Sequence, residues 1–148
     1  MDGSEFIVEA VRLTFEEMAF LDVAPGPGGD PPSDQAGPWL FLSYTQPQVG
    51  SLALFLPKAV RFAVAESIYG ESWDSLDPGQ LDDSLLEVMN VLAGRLLTGR
   101  FGPGLASVMG LPTVLYDPPG ALAGLECSTL TFHVDAHELK LLWYEVPQ

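Results

Sequence analysis

Asp83, Glu87, Asn90 and Gly94 follow one another at intervals of four, three and four residues, the spacing that stacks side chains on one face of a helix. At about 100° per residue, with Asp83 at zero, Glu87 falls near 40°, Asn90 near 340° and Gly94 near 20°, within roughly a 60° sector. Leu85, Met89, Leu92 and Leu96 fall at roughly 180–240° on the same count, so an apolar stripe would anchor the helix from the opposite side. Two carboxylates and an amide then face outward. Asn90 is the only asparagine in the chain. It stands in mid-helix, where its side chain competes with the backbone for hydrogen bonds. Gly94, one turn on, costs about 1 kcal/mol relative to alanine in a helix interior, but it clears bulk beside the amide. Both choices suit a helix surface made for another molecule. On periodicity alone, a merely solvated acidic face is the simpler account.

The other chemistry-bearing residues form weaker patterns. His133 and His137 are four apart, but on an expected strand and turn that spacing does not build a one-sided metal face, and a structural or surface role is expected. Gly99–Gly104 has glycines without a following Lys-Ser/Thr, and it ends a helix where a phosphate-binding loop would begin one. Asp82 and Asp83 are helical neighbours pointing about 100° apart, which is poor geometry for a carboxylate acid and base pair. Cys127 reads as a small buried hydrophobe, and Trp39, Trp73 and Trp143 as core or interface anchors. No activated nucleophile is visible, and no metal site is expected.

The elements that must position the stripe follow from period and punctuation. Phe6, Ile7, Ala10, Val11, Leu13, Phe15, Met18 and Leu21 recur at helical spacing and predict a first helix over 5–21. Pro and Gly crowd residues 24–38, which predicts an exposed loop inside the domain. Runs at 39–45 and 51–56 predict two antiparallel strands joined by a turn. Pro57 opens a helix that Gly70 stops after Tyr69. An acidic connector over 71–82 contains the turn signal Asp77-Pro78-Gly79, and the stripe-bearing helix is expected from about Asp83 to Arg100, ended by Gly102-Pro103-Gly104. Strands are expected at 113–116, 128–134 and 139–146, the last two joined by residues 135–138. Leu130, Phe132 and Val134 alternate with Thr129, Thr131 and His133, giving one apolar and one polar face. The expected fold class is α+β: a mainly antiparallel sheet with long helices packed on one side, in a single domain over 1–148.

Composition excludes several classes. With 148 residues, 47% of them hydrophobic, the chain can bury a full core. Lys and Arg number 6 against 20 Asp and Glu, and the net charge of −14 would be repelled by nucleic acid or an anionic membrane. A single cysteine allows no internal disulfide, which fits a reducing compartment. The acidic start leads directly into an amphipathic stretch and lacks the features of a secretory signal, and no apolar run reaches the roughly 20 residues that span a bilayer. A cytoplasmic protein is expected.

Asp83-Ser84-Leu85-Leu86-Glu87-Val88-Met89-Asn90, with Val91-Leu92-Ala93-Gly94 after it, resembles the D/S-x3-E-x2-N signature of the CheC, CheX and FliY chemotaxis phosphatases. Leu111-Pro112-Thr113 is similar to the proline segment that follows it there. The similarity runs along most of the chain: a Glu-rich first helix, the Gly50–Leu54 strand leading into a helix, the motif helix, then terminal strands. It is closest to the single-site CheX branch, because the best match on the first helix is Glu5-x3-Glu9-x2-Arg12, with arginine where a second amide would stand.

The resemblance implies a phosphatase that binds a phosphorylated CheY-like response regulator and speeds hydrolysis of its aspartyl phosphate. It assigns catalysis to Asn90, which would place the attacking water, and to Glu87, which would pair with the receiver's active-site lysine. Glu87, Asp83 and Gly94 would form the partner-binding surface. Magnesium would belong to the receiver, with no cofactor bound by this chain, and a homodimer is expected. Arg95 departs from the family pattern, and at roughly 120° it should lie beside the stripe. The alternatives are a noncatalytic module that binds a receiver or a flagellar switch component, and a structural dimerisation domain.

Overall fold

The computed structural model describes residues 5–26, 38–103, 109–116 and 128–146. Its elements in chain order are helix α1 (Glu5–Ala19), strands β1 (Ala24–Pro25), β2 (Trp39–Tyr44) and β3 (Gly50–Phe55), helix α2 (Lys58–Tyr69), a 3-10 turn (Trp73–Ser75), helix α3 (Pro78–Phe101), and strands β4 (Thr113–Leu115), β5 (Ser128–Val134) and β6 (His137–Glu145). The strands form one antiparallel sheet in the order β1-β5-β6-β3-β2-β4.

The register puts leucines on one face. Leu40 lies opposite Leu54, Leu42 opposite Leu52, and Leu54 opposite Leu141, so β2, β3 and β6 together offer the helices an unbroken apolar surface. Phe132 and Leu139 extend it, and all of these are buried with Val11, Phe15, Val64, Leu92 and Leu96 of the helices. At its rim the indole N–H of Trp143 donates to the phenol oxygen of Tyr44 at 2.8 Å, and burial pushes that phenol's pKa up to about 12. The opposite face is not polar throughout, as the alternation in β5 alone suggested. On the central strands Trp39, Ala53 and Phe55 are buried there, with Phe41, Leu115, Leu142 and Tyr144 packed around them.

Several boundaries differ from the sequence expectation. Ala24 and Pro25, read as loop, pair with His133 and Phe132 as a two-residue edge strand. Proline is admissible there because an outward-facing edge position needs no N–H. The rest of the expected loop, residues 27–37, lies outside the described residues. The β5–β6 connection is tighter than expected. Val134 pairs with His137, so only Asp135 and Ala136 turn, with Asp135 at φ 52°, and His137 and Glu138 belong to β6. Gly70 ends α2 as expected, with φ 68° and its N–H donating to the Glu66 carbonyl at 2.8 Å.

The largest difference is the start of α3. Asp77-Pro78-Gly79 opens the helix instead of turning away from it, so α3 begins at Pro78, not near Asp83. The Asp77 carboxylate accepts from the Gln80 backbone N–H at 2.8 Å, and the Gln80 side chain accepts from the Asp77 N–H at 3.0 Å. This is a reciprocal capping box with proline at the first helical position. The helix therefore has 24 residues and a length of about 36 Å. Asp83 sits within its second turn, held by regular helix on both sides.

Candidate functional site

The stripe's geometry follows from what α3 buries. Leu85, Met89, Leu92 and Leu96 are at most 4% exposed, and Ser84, Val88, Ala93 and Leu97 are buried beside them. Little of the helix circumference is left for solvent. Asp83, Glu87 and Asn90 occupy that remainder and are exposed, with Gly94 half-buried in line. Among the described residues their side chains meet no hydrogen-bonding or ionic partner. A β-carbon added at Gly94 would find nothing within 4 Å among the described residues, so their packing does not require glycine there.

Helix α1 lies against α3 in the antiparallel sense, since Phe6 meets Gly99 while Thr14 meets Arg95. Between them runs an open groove of about 610 Å³, lined by Phe6, Ala10, Leu13 and Val91, with Glu9 and Arg95 also in its wall. Asn90 and Gly94 line it too, so the amide end of the motif opens onto the groove, while Asp83 and Glu87 lie beyond its lining. Arg95 fixes the spacing of the two helices. Its guanidinium donates to the buried Thr14 hydroxyl at 3.0 Å and to the Glu17 carboxylate. The expectation that Arg95 lies beside the stripe agrees with this geometry, and its charge is engaged by α1.

The α1 residues at matching spacing have a different environment. Arg12 donates to both oxygens of Glu9, at 2.6 and 3.2 Å, and to Glu16 at 2.9 Å. The hydrogen bond from Arg12 holds the Glu9 carboxyl below the usual range, with its charge adding to the effect.

The remaining candidates are scattered. His133 and His137 stand in the β5–β6 hairpin opposite Glu138 and Val134, and no group of three metal-ligating side chains occurs among the described residues. Arg100, in the glycine-containing segment, binds Glu145 at 3.0 and 3.2 Å and pins the end of α3 to β6. Tyr116 donates to Asp82 at 3.4 Å. Leu111, before Pro112, is 88% exposed. Trp39 and Trp143 are buried, while Trp73 is part-exposed and stacked on Phe62 at 4.1 Å. Cys127 lies outside the described residues. Sequence reasoning missed the groove: Phe6, Ala10, Leu13 and Val91 read as ordinary apolar positions, and no local signal shows that two helices meet there.

No protein-family model matches the sequence, and no curated protein matches it. Solved structures do match. CheX from Vibrio vulnificus superposes with a TM-score of 0.75 at 14% identity, covering 99% of both chains. CheX from Desulfovibrio desulfuricans gives 0.73 at 15% identity, over 99% of this chain and 100% of that one. CheX from Borrelia burgdorferi, solved as a complex with CheY, BeF3 and magnesium, gives 0.73 at 18% identity over 99% of both chains. CheC-like and FliY structures share the architecture. No helix among the described residues is long and apolar enough to cross a membrane. With three helices and one antiparallel sheet among the described residues, this chain has the α+β fold of the CheC, CheX and FliY chemotaxis proteins.

Proposed function

We propose that the chain is a cytoplasmic phosphatase for the aspartyl phosphate of a CheY-like response regulator, in chemotaxis or a related two-component pathway. The observation that carries this reading is the pair Glu87 and Asn90. Both are exposed and without a partner among the described residues, on a fold of which one solved example is held in complex with CheY.

In this mechanism the Asn90 side chain orients a water in line with the phosphorus. The water oxygen forms the new bond to phosphorus as the bond to the receiver's aspartate oxygen breaks. The products are inorganic phosphate and a free carboxylate, and the water's proton passes to the phosphate. Glu87 accepts a charge-assisted hydrogen bond from the receiver's active-site lysine and fixes the docked register. Asp83, one turn earlier, makes a supporting contact at the receiver surface, and Gly94 leaves room for the approach. Magnesium is the receiver's own, and no covalent intermediate forms on this chain. The protein is further proposed to be a homodimer in which a sheet edge such as β4 is covered by its counterpart. Light scattering tests this, and a monomer at all accessible concentrations removes it.

The central test is the decay of aspartyl phosphate on receivers from the same genome, with magnesium, in the presence of wild type, Asn90→Ala or Glu87→Ala. Faster decay with wild type alone supports the assignment. Unchanged decay on every receiver, despite binding, would make the chain a noncatalytic receiver-binding or flagellar-switch module.

A further inference from the structure

We propose that the groove between α1 and α3 is a docking slot for an apolar side chain of the receiver, one flanked on the receiver surface by a lysine or arginine. This rests on the phosphatase reading and specifies how the receiver is held while Asn90 acts.

Three observations select that occupant. First, the walls are apolar: Phe6 and Ala10 with Leu13 on one side, Val91 on the other. The charged groups in the wall are already engaged, Arg95 by Thr14 and Glu17, and Glu9 by Arg12. A phosphate or carboxylate would find no free cation there among the described residues, whereas an apolar group would exchange water for carbon on both sides. Second, the slot is built to stay open. Phe6 is wedged at one end, with its ring where a β-carbon of Gly99 would be, 2.5 Å from the nearest ring atom, and edge-to-face on Trp143 at 6.0 Å. Arg95 ties α3 to α1, and the absence of a side chain at Gly94 leaves the middle clear. Third, the carboxylates of Glu87 and Asp83, without partners among the described residues, precede Asn90 along the helix, which calls for a cation beside the inserted group. A second copy of this chain fits poorly, because it would bring a −14 surface against these acids.

The test is isothermal titration of receiver activated with BeF3 and magnesium into wild type, Gly94→Leu and Leu13→Gln, with melting temperatures alongside. Gly94→Leu fills the slot at a position where the added β-carbon touches nothing. It should fold with an unchanged or higher melting temperature and bind the receiver at least ten-fold more weakly. Leu13→Gln, on the far wall, should weaken binding about three-fold or more. Receiver binding within two-fold of wild type for both variants overturns the docking slot, and if wild type still accelerates dephosphorylation the phosphatase reading survives that result. Weakened binding of the variants, with no turnover by wild type, keeps the slot and removes the phosphatase. If Gly94→Leu instead dissociates a wild-type dimer, the slot belongs to self-association and the proposal fails.

Discussion

Two neighbouring helices carry acidic residues at the same spacing, Glu5-x3-Glu9-x2-Arg12 on α1 and Asp83-x3-Glu87-x2-Asn90 on α3, and each contributes one of these residues, Glu9 and Asn90, to a shared groove. Their electrostatic environments are opposite. On α1 a single arginine closes on Glu9 and Glu16, so the carboxylates are satisfied within the chain. On α3 neither Glu87 nor Asn90 has a partner among the described residues. The glycines repeat the contrast. Gly99 is demanded by Phe6, while Gly94 is demanded by nothing among the described residues. What distinguishes a recognition surface from an acidic helix face is therefore not its composition. It is the set of polar groups and gaps that intramolecular packing leaves unexplained.

The sharpest way to break this comparison is Asn90→Ala. If the free face is catalytic, dephosphorylation of the receiver should fall by roughly 100- to 1,000-fold, the scale of losing one positioned polar group at a transition state. Affinity for the BeF3-activated receiver should stay within about three-fold. The variant should also melt slightly higher, since alanine is the better helix former by roughly 0.5 kcal/mol. Stopped-flow decay and titration of the same samples separate the two effects. A parallel loss of binding and turnover would make Asn90 a docking residue.

Glu87→Gln should follow in size. It keeps the shape and removes the charge, so the loss should be about 2 kcal/mol, roughly 30-fold in kcat/KM. Salt provides the control. Turnover by wild type should decline as ionic strength rises and screens the charge pair, and the variant's profile should be flatter. Identical salt profiles would mean that the receiver's cation is met elsewhere.

A stability pair sharpens the glycine contrast without any partner. Gly94→Ala should stabilise the fold by about 1 kcal/mol, because it improves helix propensity and its methyl meets nothing. Gly99→Ala should destabilise by about 1–2 kcal/mol, because its β-carbon would lie 2.5 Å from one Phe6 ring carbon and 3.1 Å from another. Urea midpoints read both. Equal shifts would dissolve the distinction between a glycine kept for packing and one kept for a visitor.

Most of this fold is readable locally, and what is not depends on distant pairing. The stripe, the limits of β5, those of β2 and β3 to within one residue, and the Gly70 stop all follow from period and punctuation. The start of α3 was misread because Asp-Pro-Gly serves equally as a turn and as a cap with its first helical proline, and only the reciprocal bond to Gln80 decides. Strand β1 exists because β5, more than a hundred residues later, offers it an edge. The groove has the same origin. The angular position of Arg95 beside the stripe was legible, but its partners Thr14 and Glu17 lie about eighty residues back on α1. That contact turns an exposed stripe into one wall of a slot.

Arg12→Ala has the smallest expected effect and tests the quiet face directly. The Glu9 carboxyl is held below its ordinary range chiefly by the Arg12 hydrogen bond. Its pairing therefore favours the native state above the unfolded carboxyl pKa, and that contribution disappears as pH falls through the lower folded value. Removing Arg12 should return Glu9 to the ordinary range, seen as a rise in the midpoint pH of its carboxyl resonance in an NMR titration. Stability at neutral pH should barely change, because the pair is solvent-exposed. Receiver turnover at saturation should be unaltered, since the catalytic amide and carboxylate lie on α3, while the freed Glu9 charge in the groove wall should weaken docking only slightly. A rise in turnover would mean that α1 had been a suppressed site, and the two faces would then differ by one arginine alone. Unchanged turnover means that the groove has a single working wall, and that α1's share is the apolar surface it presents to whatever docks against Asn90.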